Sequence, residues 1–185
     1  MTSPLWTRRQ ILAAALCVLH VPAGLAASSA AAPDTRRLVL HNLHTNESLD
    51  IVFQDGNGFV DDALQKLQHL LRDHRTGEEH AMDPELYVVL SDLARTAGLE
   101  PRYEVISGYR SAATNAGLIA EGHHVAKQSM HVQGRAMDVR LHGIDLAAFK
   151  DLALAAKRGG VGFYPRSNFV HVDTGRVRSW QDEVS

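Results

Sequence analysis

Along the chain, apolar and polar positions first alternate and then change period. "RLVLHNL" (37–43) and "SLDIVFQ" (48–54) alternate on either side of "HTNE", which predicts a β-hairpin. In "DDALQKLQHLLRDHR" (61–75) the period becomes helical, with Leu64, Leu67, Leu70 and Leu71 on one stripe and acidic residues at the start. "DPELYVVLSDLARTAG" (83–98) repeats the design. Asp83 serves as N-cap, Pro84 sits in the first turn, and Gly98 terminates. Its buried face is Leu86, Val89, Leu90 and Leu93. Period two then returns. "YEVISGY" (103–109) predicts a strand running into a turn, and "AMDVRL" (136–141) a second strand. "DLAAFKDLALAAKR" predicts a helix stopped by Gly159 and Gly160, and "VGFYP" and "FVHVDT" two more short strands. The sum is an α+β domain: helices first, then a small antiparallel sheet packed against them, with no internal repeat.

Composition narrows the class. The 185 residues are 45% hydrophobic and 22% charged, which suits one globular core. A formal net charge of -2 excludes the basic footprint of a nucleic-acid binder. The N-terminal "TRRQILAAALCVLHVPAGLA" pairs Arg8 and Arg9 ahead of an apolar run too short for a membrane span, then offers small residues for cleavage. Residues 1–27 therefore read as an export signal, 28–36 as a small-residue linker and 37–185 as the functional domain. The paired arginines look like a twin-arginine signal, which implies export in the folded state; the Sec route uses a similar layout and stays open. The single cysteine, Cys17, lies inside the apolar run and follows Leu16, where lipidation would require a small residue. After cleavage the protein is expected to lack disulfides, thiolate ligands and any membrane span.

Candidate chemistry sits in "SMHVQGRAMDVR" (129–140) and "FVHVDT". In the first strand Met137 and Val139 point to one face, so Asp138 points to the other. In the second, Val170 and Val172 point to one face, so His171 points to the other, beside Phe169 and Asp173. If the strands are neighbours, Asp138 and His171 share a side, and the loop bearing His131 can fold over it. Two imidazoles and a carboxylate then converge, a donor set that suits one zinc ion with an open fourth position. The plain alternative is a set of satisfied structural polar groups, because eleven histidines make chance spacings easy.

The motifs "SMHVQGRAMD" and "FVHVDTG", with "SGYRS" before them, resemble the zinc site of the D-Ala-D-Ala metallopeptidase superfamily. "ISGYRSAATN", "GGVGFYPRSNFVHVDTG" and the paired-arginine leader look more closely like the MepK group of murein endopeptidases, over most of the chain from "LHNLHTNESL" to "RSW". That resemblance implies a hedgehog- or DD-peptidase-like fold and His131, Asp138 and His171 as zinc ligands. It also implies a periplasmic location and action on cross-links between peptidoglycan stem peptides, including 3-3 links through meso-diaminopimelate. Arg110 matches an arginine beside the scissile carbonyl, where a permanent forked cation steadies an oxyanion.

One position departs from the wider superfamily. Where many relatives carry an acidic base three residues before the last histidine, this chain has Asn168, followed by Phe169, and neither takes a proton at neutral pH. The stretch "SNFVH" nevertheless looks normal for the MepK group, so Asn168 is kept among the catalytic candidates with Asp173, which either assists or orients His171. His123, His124 and His142 are further candidates for proton transfer, and the general base stays open. Tyr164 and Arg166 in "FYPRSN" are candidate substrate contacts, Arg166 for a free carboxylate. Ser129 is a candidate to orient the His131 loop or meet substrate, and Trp180 is read as packing. A D-Ala carboxypeptidase and a non-catalytic zinc-containing binding module are the competing functions.

Overall fold

The computed structural model describes residues 35–122 and 126–182. The expected leader, most of the linker, and His123 and His124 lie outside the described residues. Within them, no helix is long and apolar enough to cross a membrane.

The domain is α+β, but its sheet is larger than the sequence suggested. Eight strands run in the order β3-β2-β1-β4-β5-β7-β6-β8 among the described residues. The N-terminal hairpin, β1 (Arg36–Asn42) and β2 (Ser48–Asp55), with the short β3 (Gly58–Phe59), forms one wing. Helices α1 (Asp61–Leu70) and α2 (Pro84–Thr96) then carry the chain across to β4 (Arg102–Ser107), which lies parallel to β1. This crossover is why the hairpin joins the later strands in one sheet instead of preceding them. A short helix, α3 (Ala112–Ala120), follows, then β5 (Ala136–Leu141), α4 (Leu146–Ala156), β6 (Gly160–Tyr164), β7 (Phe169–Asp173) and β8 (Arg178–Gln181). The second parallel pair is β6 with β8, so the sheet is mostly but not wholly antiparallel.

One face of the sheet makes the core. Leu38, Leu40, Phe53, Tyr103, Val105, Met137, Val139, Val170 and Val172 are buried together with Leu67, Leu86, Leu90 and Leu93 of α1 and α2 and Phe149 of α4. Burying each such side chain is worth about 1.5–3 kcal/mol. The helix starts follow the capping signals. The Asp83 carboxylate accepts from the Glu85 backbone N–H, and Asp145 accepts from Ala147 and Ala148. Helix α4 ends earlier than the glycines suggest, at Lys157 in a left-handed conformation. Gly160 belongs to β6 instead.

Candidate active site

Register builds the floor of the site. Asp138 of β5 stands directly opposite His171 of β7, and Gly162 of β6 stands opposite His171 on its other side. Gly162 is in turn level with Trp180 of β8. These four positions form one row on the polar face of the sheet, with the apolar alternates on the helix side. A β-carbon at Gly162 would lie 2.6 Å from the Trp180 ring, so the missing side chain lets the indole fold across β6 to meet the His171 ring at 5.0 Å between centroids.

The loop before β5 brings the third member. His131 Nδ1 donates to the Gly108 carbonyl at 2.8 Å, and its backbone N–H bonds the Ser129 hydroxyl at 3.3 Å. His171 Nε2 donates to Asp173 Oδ2 at 3.0 Å. The Gly108 carbonyl can only accept, so His131 Nδ1 carries the proton and Nε2 turns its lone pair inward; with Nε2–H given to Asp173, His171 presents its Nδ1 lone pair the same way. The two nitrogens are 3.1 Å apart and lie 3.2 Å and 2.9 Å from Asp138 Oδ1. Three buried donor atoms meeting in this way form a group that could hold a metal ion.

The "SGYRS" turn is placed by an irregularity in β4. Val105 pairs with Val139 but Ser107 pairs with Asp138, so β4 has one extra residue there and the chain is re-aimed over the site. Gly108 is held against Leu71, whose Cβ would lie 2.9 Å from any added β-carbon. Tyr109 N–H bonds the Leu71 carbonyl, Ser111 N–H bonds Asp73 Oδ2 at 2.9 Å, and Arg110 N–H bonds the His131 carbonyl. Arg110 therefore projects into the site, with Nη2 4.0 Å from Asp138 Oδ2. Its Nε is buried with no hydrogen-bond partner among the described residues.

The electrostatics agree with the geometry. Burial opposes ionisation of Asp138, but the neighbouring imidazoles outweigh it and hold its carboxyl well below the usual range. Asp173 is also held low: burial opposes its charge, while His171, Arg178 and the N–H groups of Gly175 and Gly160 favour it. Burial disfavours a charged His171, yet the Asp138 and Asp173 carboxylates on either side of the ring raise its pKa. Arg110 is pushed down by burial, partly offset by Asp138.

Above this floor lies a cleft of about 850 Å³ lined in part by Arg110, Ser129, His131, Asp138, Tyr164, Arg166, His171 and Trp180. Tyr164 and Arg166 thus border the same space as the His–Asp–His group. Asp173 stands behind His171, fully buried, as a positioning residue. Asn168 is not brought to the cleft. It sits in the β6–β7 turn at φ 55° and lines a separate depression with Glu104 and His142. His142 is exposed, 3.6 Å from Glu104, and also distant from the cleft. Trp180, expected as packing, is a cleft wall, and Arg178 beneath it was not anticipated. The alternation of Arg178 and Trp180 in "RSW" was the available signal.

Fold and site together define a class: an α+β domain holding a buried His–Asp–His group, able to bind a metal, at the floor of an open polar cleft. The particulars come from likeness in sequence. Residues 30–180 match the family described as Peptidoglycan L,D-endopeptidase MepK, and the chain belongs to that family. It is 46% identical over 148 residues to Peptidoglycan L,D-endopeptidase MepK of Escherichia coli (strain K12) and to that of Shigella flexneri, covering 80% of this chain and 81% of each relative. Probable peptidoglycan L,D-endopeptidase MepK of Haemophilus influenzae is 44% identical over 150 residues, again covering 80% of this chain and 81% of the relative. No solved structure matches the chain significantly.

Proposed function

We propose that the protein is a zinc-dependent peptidoglycan endopeptidase of the periplasm, hydrolysing cross-links between stem peptides, with preference for the L,D bonds named for its relatives. The observation that carries the reading is the convergence of His131 Nε2, His171 Nδ1 and Asp138 Oδ1 within 2.9–3.2 Å of one another on a cleft floor. Two imidazole nitrogens and one carboxylate oxygen are ordinary zinc ligands that leave a position open. When bound, zinc polarises the amide carbonyl and lowers the pKa of its water to about 7.

The chain's own residues supply the rest. Gly108 and Asp173 lock the imidazoles in the tautomers that present lone pairs. Arg110, partly desolvated and lining the cleft with Nη2 near Asp138, is available to the carbonyl oxygen as charge develops on it. Arg166 and Tyr164 at the cleft rim suit the carboxylate and backbone of a meso-diaminopimelate stem. Asn168 has no role in proton transfer in this scheme. Residues 1–27 act as the export signal, and a wall-facing substrate requires that export.

The test is incubation of the zinc-loaded chain with purified muropeptides carrying 3-3 and 4-3 cross-links, read by mass spectrometry. Conversion of dimers to monomers is expected, stopped by a chelator and restored by zinc. His131→Ala should remove turnover while circular dichroism stays native. Release of D-Ala alone would make the protein a carboxypeptidase. Intact substrates with zinc still bound would make it a binding module.

A further inference from the structure

The cleft wall formed by β6 and β8 carries an aromatic pair with a directional hydrogen bond. Trp180 Nε1 donates to the Tyr164 hydroxyl oxygen at 2.8 Å. An indole N–H donates and cannot accept, so the phenol's own proton must point elsewhere. Among the described residues no acceptor takes it, and Tyr164 borders the cleft. The ring is held rigidly, stacked on Phe169 at 4.5 Å between centroids, while Trp180 is held by Arg178 on its face and by the His171 ring. Tyr164 is thus a preorganised donor with a fixed ring, an occupied lone pair and a free proton.

Sheet order gives this donor its place. Arg110 follows β4, the His–Asp pair lies on β5 and β7, and Tyr164 ends β6, so the two donors flank the metal-holding group from opposite sides. We propose that the Tyr164 phenol is a second oxyanion donor, bonding the scissile carbonyl oxygen opposite Arg110 as negative charge develops there. The proposal rests on the hydrolase reading and adds a catalytic residue to it. Burial raises the phenol's pKa above its ordinary value and outweighs the opposing Trp180 hydrogen bond, so the proton is retained at neutral pH.

The test compares Tyr164→Phe with Trp180→Phe in the full-length, zinc-loaded chain. Both delete the same indole–phenol hydrogen bond, but only Tyr164→Phe deletes the cleft-facing proton. Loss of one oxyanion donor typically costs about 10²–10³ in kcat. Tyr164→Phe should therefore lose about 100-fold in kcat with KM changed less than about twofold, and Trp180→Phe less than about tenfold in kcat. A phosphinate analogue of the scissile amide, titrated calorimetrically, should bind Tyr164→Phe about 100-fold more weakly than wild type. Equal losses in the two variants would reduce Tyr164 to a structural wall and overturn the proposal. So would Tyr164→Phe with kcat and phosphinate affinity within about threefold of wild type. A wild-type chain that turns over nothing would count against the hydrolase reading instead, while the phosphinate titration still reports on the phenol.

Discussion

The two wings of the sheet use the same alternating sequence to opposite ends. In the β1–β2 hairpin the apolar alternates Leu38, Leu40 and Phe53 go into the core, with Asn42 buried at the end of β1, while Ser48 and Asp50 go to water. Arg37, for example, pairs with Asp50 and Glu100 on an exposed face. In β5 and β7 both sets are buried: Met137, Val139, Val170 and Val172 on the helix side, and Asp138, His171 and Asp173 on the other. Covering a polar face costs desolvation of every group on it, so each must find a partner. Asp173 illustrates the result, accepting from His171, Arg178, Gly160 and Gly175 at once. In the first wing polar residues are tolerated; in the second they are held, and substitutions should separate the two.

The largest effect is expected behind the ligands. Asp173→Asn keeps the shape but weakens the charge that orients His171 Nε2–H, and outer partners of this kind are worth about 10–100-fold in metal affinity. Competition with a zinc-binding dye should show that loss. An unchanged affinity would mean that Asp173 only packs.

Gly162→Ala comes next. The added methyl meets the Trp180 ring, and overpacking of this kind costs about 1–3 kcal/mol. Chemical denaturation should show it, with a red-shifted Trp180 emission as the indole is displaced.

Asp73 sharpens the comparison through pH. It is buried beneath the "SGYRS" turn. Desolvation opposes its charge, yet bonds from Thr114, Ser111 and Arg75 hold its carboxyl below the ordinary range. A depressed carboxylate gives stability that is full above the unfolded pKa of about 3.9 and is lost as pH falls through the folded value. Asp73→Asn should therefore cost about 1–3 kcal/mol at pH 7, with the difference from wild type shrinking below about pH 4. Urea titrations at pH 7 and at acid pH measure both arms. A pH-independent difference would rule out the charge as the cause.

The same contrast explains what could be read from sequence. Period two is a local property of extended backbone, so the shared face of Asp138 and His171 was legible. That they stand in direct register, and that β1 joins β4 in parallel, depends on strands far apart in the chain. Neither β8 nor α3 carries a strong local signal. The first is four residues long, and the second buries mainly Thr114 and Asn115, so no apolar stripe marks it. Trp180 packs as expected, against His171 and Arg178, and that it also borders the cleft depends on Gly162, where no side chain stands in its way. The expectation that Asn168 belongs with the catalytic groups came from the likeness of "SNFVH" to the MepK group. The positive φ of Asn168 and the turn at 165–168 carry it away from the cleft.

The smallest effect belongs to the exposed wing. Arg37 makes two ion pairs, with Asp50 at 2.6 Å and Glu100 at 3.0 Å, and a contact tally would rank it beside Arg178. Solvent reaches all three of its groups, so water and salt replace whatever the pairs provide, and exposed pairs rarely contribute measurably. Arg178 bonds a carboxylate that is fully buried and has no water to replace the guanidinium. Arg37→Ala should leave Tm and metal affinity unchanged, whereas Arg178→Ala leaves Asp173 short of a cation and should lower both. Thermal melts of the two variants at low and high salt decide the matter. Equal losses would mean that burial does not set the value of a charge in this sheet, and the contrast between its wings would fail.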